Sequence, residues 1–145
     1  MFRLLATDID DTLLAHDGSL PEVNREVLAR LHERGIVIVF VSGRADASIQ
    51  RVASRILPPA DDEYYIGFNG ARVVTAASRT VVEREYVEPE AMGEIAGYAR
   101  EHGLHIQGYE ADSFIAAGGS GYDPGATQLY ADATGQEFRM VDDLS

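Results

Sequence analysis

Asp8-Ile9-Asp10-Asp11-Thr12 places three carboxylates within four residues. They follow a short apolar run, FRLLATD over Phe2–Asp8, that reads as a buried parallel strand. In open α/β sheets, sites form outside the carboxyl ends of strands. Residues two apart past a strand end can point into one crevice, and two carboxylates there attract a hard cation such as magnesium. With the cation bound, one carboxylate can stay ionised and attack phosphorus while its neighbour carries a proton to the leaving oxygen. Water can then hydrolyse the aspartyl-phosphate, the neighbour now acting as base. The alternative for such a loop is a turn of solvated aspartates.

A second strand end supports the chemical reading. Ile36–Val41 (IVIVFV) is an unbroken run of mostly β-branched apolar residues, the pattern of a strand covered on both faces. It ends in Ser42-Gly43-Arg44 and leads into a helix. A hydroxyl, a small residue that lets backbone approach and a helix N-terminus make a phosphate cradle. An N-cap serine beside a turn glycine is the plainer reading. Two such ends in consecutive βα units, at one edge of a sheet, are hard to attribute to chance.

The elements that must position these residues follow from periodicity. Pro21 opens a helix carrying Leu20, Val23, Val27, Leu28 and Leu31 near helical spacing, with Gly35 just past its end. A helix over Asp46–Leu57 is stopped by Pro58-Pro59, and Tyr64–Phe68 is a third strand. Strand and helix thus alternate over the first 69 residues, as in a parallel α/β sheet. At Asn69-Gly70 the pattern changes to a hairpin, Ala71–Thr75 and Thr80–Val87. A helix over Glu90–His102, with Met92, Ile95, Ala96 and Ala99 on one face, and strands over Leu104–Tyr109 and Ser113–Ala117 follow. Gly118–Gly125 reads as a loop, while Gln128–Ala131 and Glu137–Val141 are short and ambiguous. The expected organisation is an α/β core over residues 1–69 and an α+β domain over 70–145.

The 145 residues, 46% hydrophobic and 25% charged, suit an ordered globular protein. A net charge of −12 argues against nucleic acid and against anionic membrane surfaces as partners. Met1–Ala6 does not read as a signal peptide, no apolar run is long enough to span a membrane, and a cytoplasmic location fits. With no cysteine there is neither a disulfide framework nor a thiolate metal site. All 12 basic residues are arginine.

At these residues the sequence resembles the haloacid dehalogenase superfamily, and within it the Cof-like phosphatases of subfamily IIB. DIDDTLL over Asp8–Leu14 is similar to the family's first motif, DxDGT, with Asp11 in place of glycine. VSGR over Val41–Arg44 is similar to the second motif, and IGFNGA over Ile66–Ala71 to the junction into the cap. The resemblance implies a Rossmann-like parallel core, apparently incomplete, with an inserted α+β cap. It implies Asp8 as nucleophile and magnesium ligand, and Asp10 as acid/base that binds magnesium through its carbonyl. The Ile9 amide, Ser42 and Gly43 would hold the phosphoryl oxygens. The departure at Asp11 touches the loop rather than a transferred role, since Asp tolerates unusual backbone angles.

In the family a lysine and a later Gly-Asp run complete the site after the cap. This chain has no lysine and no such run, Asp142-Asp143 sitting in VDDL, so it reads as ending inside the cap. The family's first strand is central, so its outer side would be left as an edge, to be covered by oligomerisation or domain swapping. The implied function is a magnesium-dependent phosphatase acting on a small phosphorylated metabolite through an aspartyl-phosphate. The alternatives are a non-catalytic short form or split subunit that binds phosphate or a partner, and a sugar phosphomutase-type phosphotransferase. His16, His32, His102 and His105 do not cluster at metal spacing. The GGSGYDPG run lacks the strand–loop–helix setting of a phosphate loop, and Tyr109, Tyr122 and Tyr130 read as packing residues.

Overall fold

The computed structural model describes residues 2–110, 113–118, 122–142 and 144. Gly119, Ser120 and Gly121 of the Gly-rich run, and Asp143, lie outside the described residues. The chain forms two compact units, Met1–Glu85 and Tyr86–Ser145.

The first unit is built on a five-stranded sheet in the order β1-β2-β3-β4-β5. Its strands are β1 (Leu4–Asp8), β2 (Val37–Val41), β3 (Tyr64–Gly67), β4 (Arg72–Thr75) and β5 (Val81–Arg84). β1, β2 and β3 run parallel, joined through helices α1 (Glu22–Glu33) and α2 (Asp46–Ala53). β2 lies between two neighbours, and its Ile38, Val39 and Phe40 are at most 4% exposed, as a doubly covered apolar strand requires. Phe40 meets the edge of Tyr65 in a core completed by Ile9, Leu13, Leu28, Ile49, Val52 and Val74.

β1 is not the covered strand that its own residues suggest but the edge that the family resemblance implies. It occupies one edge of the sheet, and Leu4 is 54% exposed. Among the described residues only β2 pairs with it, so its outer face lacks the cover that β2 receives on both sides. In α1 the buried position is Leu28, with Leu20, Ala29 and Leu31 packed beside it, while Val23 and Val27 stay exposed. α2 ends at Ala53, earlier than expected; the chain continues through tighter turns that bury Ile56 and Leu57.

The hairpin formed by β4 and β5 does not leave the sheet. β4 pairs antiparallel with β3 from Gly67↔Arg72 to Tyr64↔Thr75. Asn69-Gly70, where the sequence pattern changes, is therefore a tight turn inside the first unit, and the two units divide at Glu85 and Tyr86.

The second unit carries helix α3 (Pro89–His102), a sheet in the order β6-β7-β8, and helix α4 (Pro124–Thr134). Its strands are β6 (Gln107–Glu110), β7 (Ser113–Ala117) and β8 (Phe138–Val141). α3 stops at Gly103 in the left-handed region and buries Ala96 and Ala99, leaving Ile95 exposed. α4 occupies the stretch that sequence periodicity left ambiguous. Asp123 caps it by accepting from the Gly125 and Ala126 N–H groups, Pro124 fills the first turn, and Gly135 closes it at φ 61°. The β7–α4–β8 connection joins parallel strands, and Phe114 stacks on Phe138 beneath the edge of Tyr130. Tyr109 and Tyr130 share a 2.6 Å hydroxyl hydrogen bond.

Candidate active site

The parallel ladder pairs Asp8 with Val41. The residues that follow them, Ile9 on one side and Ser42 on the other, therefore leave the sheet together. Asp8 ends β1 as an exposed carboxylate. The chain then makes one wide turn, closed by the Leu14 N–H donating to the Ile9 carbonyl at 2.8 Å. The Ile9 side chain is fully buried and pins the start of that turn to the core. Asp10 is extended (φ −78°, ψ 133°), and Asp11 is left-handed (φ 56°, ψ 9°). The position at which the family motif has glycine thus does adopt a glycine-favoured conformation, and Asp11 accommodates it. Its carboxylate lies 3.1 Å from His16 Nδ1.

Ser42-Gly43-Arg44 is held by the turn after β3. The Ser42 N–H donates to the Ile66 carbonyl (2.9 Å), the Phe68 N–H to the Arg44 carbonyl (3.0 Å) and the Asn69 N–H to the Ser42 carbonyl (3.3 Å). Phe68 and Asn69 sit at φ 53° and 56°, a strained pair of non-glycine residues that only a well-determined surrounding sustains. The Ser42 side chain is buried, and its Oγ accepts from the Arg44 N–H at 3.2 Å. A hydroxyl used as acceptor there keeps its own hydrogen to donate. Gly43 presents bare backbone beside Asn69, and α2 begins three residues further on, at Asp46.

Two charged pairs frame this loop. Arg44 Nε and Nη2 donate to Asp10 Oδ2 and Oδ1 at 2.9 and 2.6 Å. Asp46, fully buried at the head of α2, meets Arg72 Nε of β4 at 3.1 Å. In the sequence Arg44 stands only as the end of the VSGR motif, with no role assigned. Its partner lies 34 residues away, and only the parallel pairing of β1 with β2 reveals the contact.

Asp8, Ile9, Asp10, Ser42 and Gly43 thus gather at one end of the parallel strands. Of the first unit's two histidines, His16 sits beside Asp11 and His32 stands apart. His32 instead pairs with the buried Glu63 at 2.9 Å, and burial holds the Glu63 carboxyl above its ordinary 4.5 despite the nearby imidazole. Among the described residues no three His, Asp or Glu side chains group as a metal cage. Arg44 occupies the Asp10 carboxylate, and the resemblance implies the exposed Asp8 carboxylate and the Asp10 carbonyl as oxygen donors. Such a pair suits magnesium, which keeps several waters and takes phosphate oxygens beside one or two protein oxygens.

The match with known proteins agrees with this fold. The family model for haloacid dehalogenase-like hydrolases matches residues 5–137. The chain belongs to that family, and within it to the Cof-like subfamily IIB. The HMP-PP phosphatase of Escherichia coli O157:H7 (strain EC4115 / EHEC) is 42% identical over 73 residues, covering 50% of this chain and 26% of the relative. The HMP-PP phosphatase of Cronobacter sakazakii (strain ATCC BAA-894) is 31% identical over 98 residues, covering 68% of this chain and 35% of the relative. A haloacid dehalogenase-like hydrolase from Bacteroides thetaiotaomicron shares the fold with a TM-score of 0.80 at 24% identity, over 99% of this chain and 53% of that one. The chain therefore spans about half the length of that solved relative. No helix among the described residues is long and apolar enough to cross a membrane.

Proposed function

We propose that the protein is a magnesium-dependent phosphatase of small phosphorylated metabolites, with Asp8 as nucleophile and Asp10 as acid/base. The observation that carries this reading is the register of β1 on β2. It brings Asp8 to the same sheet end as a cradle of Ser42 hydroxyl and Gly43 backbone.

In the first step the Asp8 carboxylate bonds to phosphorus and the bond to the leaving oxygen breaks, Asp10 giving that oxygen its proton. In the second, water bonds to phosphorus, the Asp8–phosphorus bond breaks, and Asp10 takes the water's proton. Ser42 donates to a phosphoryl oxygen, and the Ile9 and Gly43 backbone completes the cradle. The Asp8 carboxylate and the Asp10 carbonyl would hold magnesium, which supplies positive charge against the phosphoryl oxygens.

Catalysis is assigned to the first unit. The cap function expected of residues 70–145 falls to the second unit, since the β4–β5 hairpin belongs to the core sheet. A cytoplasmic location follows from the same reading. The relatives' name makes HMP-PP the first substrate to assay. The direct test is an acid quench during turnover of a ³²P-labelled substrate by the full-length protein. Label should remain on the wild-type protein and be absent from Asp8→Asn; equal labelling of both would reject Asp8 as nucleophile.

A further inference from the structure

Arg44 and Asp10 differ in freedom. The Arg44 side chain is 11% exposed and that of Asp10 is 54% exposed. Arg44 is anchored at three further points. Its Nη1 donates to Ser48 Oγ at 3.2 Å, its N–H donates to Ser42 Oγ at 3.2 Å, and its carbonyl accepts from the Phe68 N–H at 3.0 Å. Asp10 sits in an exposed turn. The anchored residue holds the free one, through the two-bond side-on fork that fixes the plane of a carboxylate.

An ion pair with so exposed a partner adds little to stability. Orientation has larger consequences: proton transfer needs donor and acceptor within hydrogen-bond reach, and a misplacement of about 1 Å can lower a rate about 100-fold. We propose that Arg44 is a positioning residue that fixes the Asp10 carboxylate for proton transfer to the leaving oxygen. The inference rests on the reading of Asp10 as the acid/base.

Two substrates separate this role from a merely structural one. A dinitrophenolate leaves without a proton, whereas an alkoxide needs one. In the full-length protein with magnesium, Asp10→Asn should lower kcat/KM for glycerol phosphate by roughly 100-fold or more, and for 2,4-dinitrophenyl phosphate by far less. Arg44→Met should show the same selectivity, about 10- to 100-fold against under about 3-fold, the retained ester activity showing that the variant folds. Added to Asp10→Asn, it should cost nothing further. Equal losses on both substrates, no loss, or an additive loss in the double variant would overturn the positioning role. A flat pattern for Asp10→Asn itself would instead remove the acid/base reading beneath it.

Discussion

Gly43 and Asn69 stand closer than a Cβ at position 43 would allow unless the Asn69 side chain shifted. A Cβ built on Gly43 would lie 2.8 Å from Asn69 Oδ1 and 3.4 Å from its Cγ. The two loops that carry them are interlocked through backbone hydrogen bonds. The cradle's bare backbone is therefore maintained by a neighbour that is itself strained.

Gly43→Ala should destabilise the protein by about 1–3 kcal/mol, the usual consequence of overpacking. Adding Asn69→Gly removes the opposing side chain and keeps the left-handed backbone, so the double variant should recover part of that loss. Urea unfolding measures both; equal stability of the single and double variants would show that the contact is not what excludes a side chain.

Asp11 provides a local test of backbone conformation. At φ 56° it should be replaceable by glycine with a change within about 0.5 kcal/mol, whereas valine should lose about 1–2 kcal/mol. Thermal unfolding of the two variants gives the comparison, and a tolerated valine would contradict the left-handed assignment.

Asp46 is fully buried, and Gly67 leaves room for it: a Cβ there would lie 2.8 Å from Asp46 Oδ1. Arg72→Met removes the guanidinium 3.1 Å from Asp46 Oδ2 and should cost about 3 kcal/mol, because a buried carboxylate loses its counter-charge. Asp46→Leu combined with Arg72→Met should be more stable than Arg72→Met alone. A double variant that is less stable would place the loss elsewhere.

Glu63 predicts a pH dependence. Burial holds its carboxyl above the ordinary 4.5, with His32 opposing the shift. The folded state therefore binds this proton more tightly than the unfolded state. The resulting stability is fully present below the unfolded value and is lost as pH rises through the folded one. Glu63→Gln lacks this loss. The unfolding temperature of wild type relative to Glu63→Gln should fall as pH is raised from about 4 to 7; a relative rise would reverse the sign of the shift.

Much of the first unit was legible in the sequence because its signals are local. The IVIVFV run declares a covered strand, Gly35 marks a helix end, and Asp8, Ser42 and Gly43 fall where strands must stop. What was not legible is non-local. The edge position of β1 is not written in Phe2–Asp8 and came only through the family resemblance, and nothing local says that β4 will pair with β3 and draw the hairpin into the core sheet. Arg44 finds Asp10 only through that strand pairing. The miss at α4 was avoidable, since Asp123-Pro124 is a helix-start signal that the surrounding glycines obscured.

The central claim is that the Asp8 carboxylate attacks phosphorus. Steady-state hydrolysis of 4-nitrophenyl phosphate by the full-length protein, with magnesium, tests it most directly. Wild type should turn over and Asp8→Asn should not. Full activity in Asp8→Asn would contradict the account.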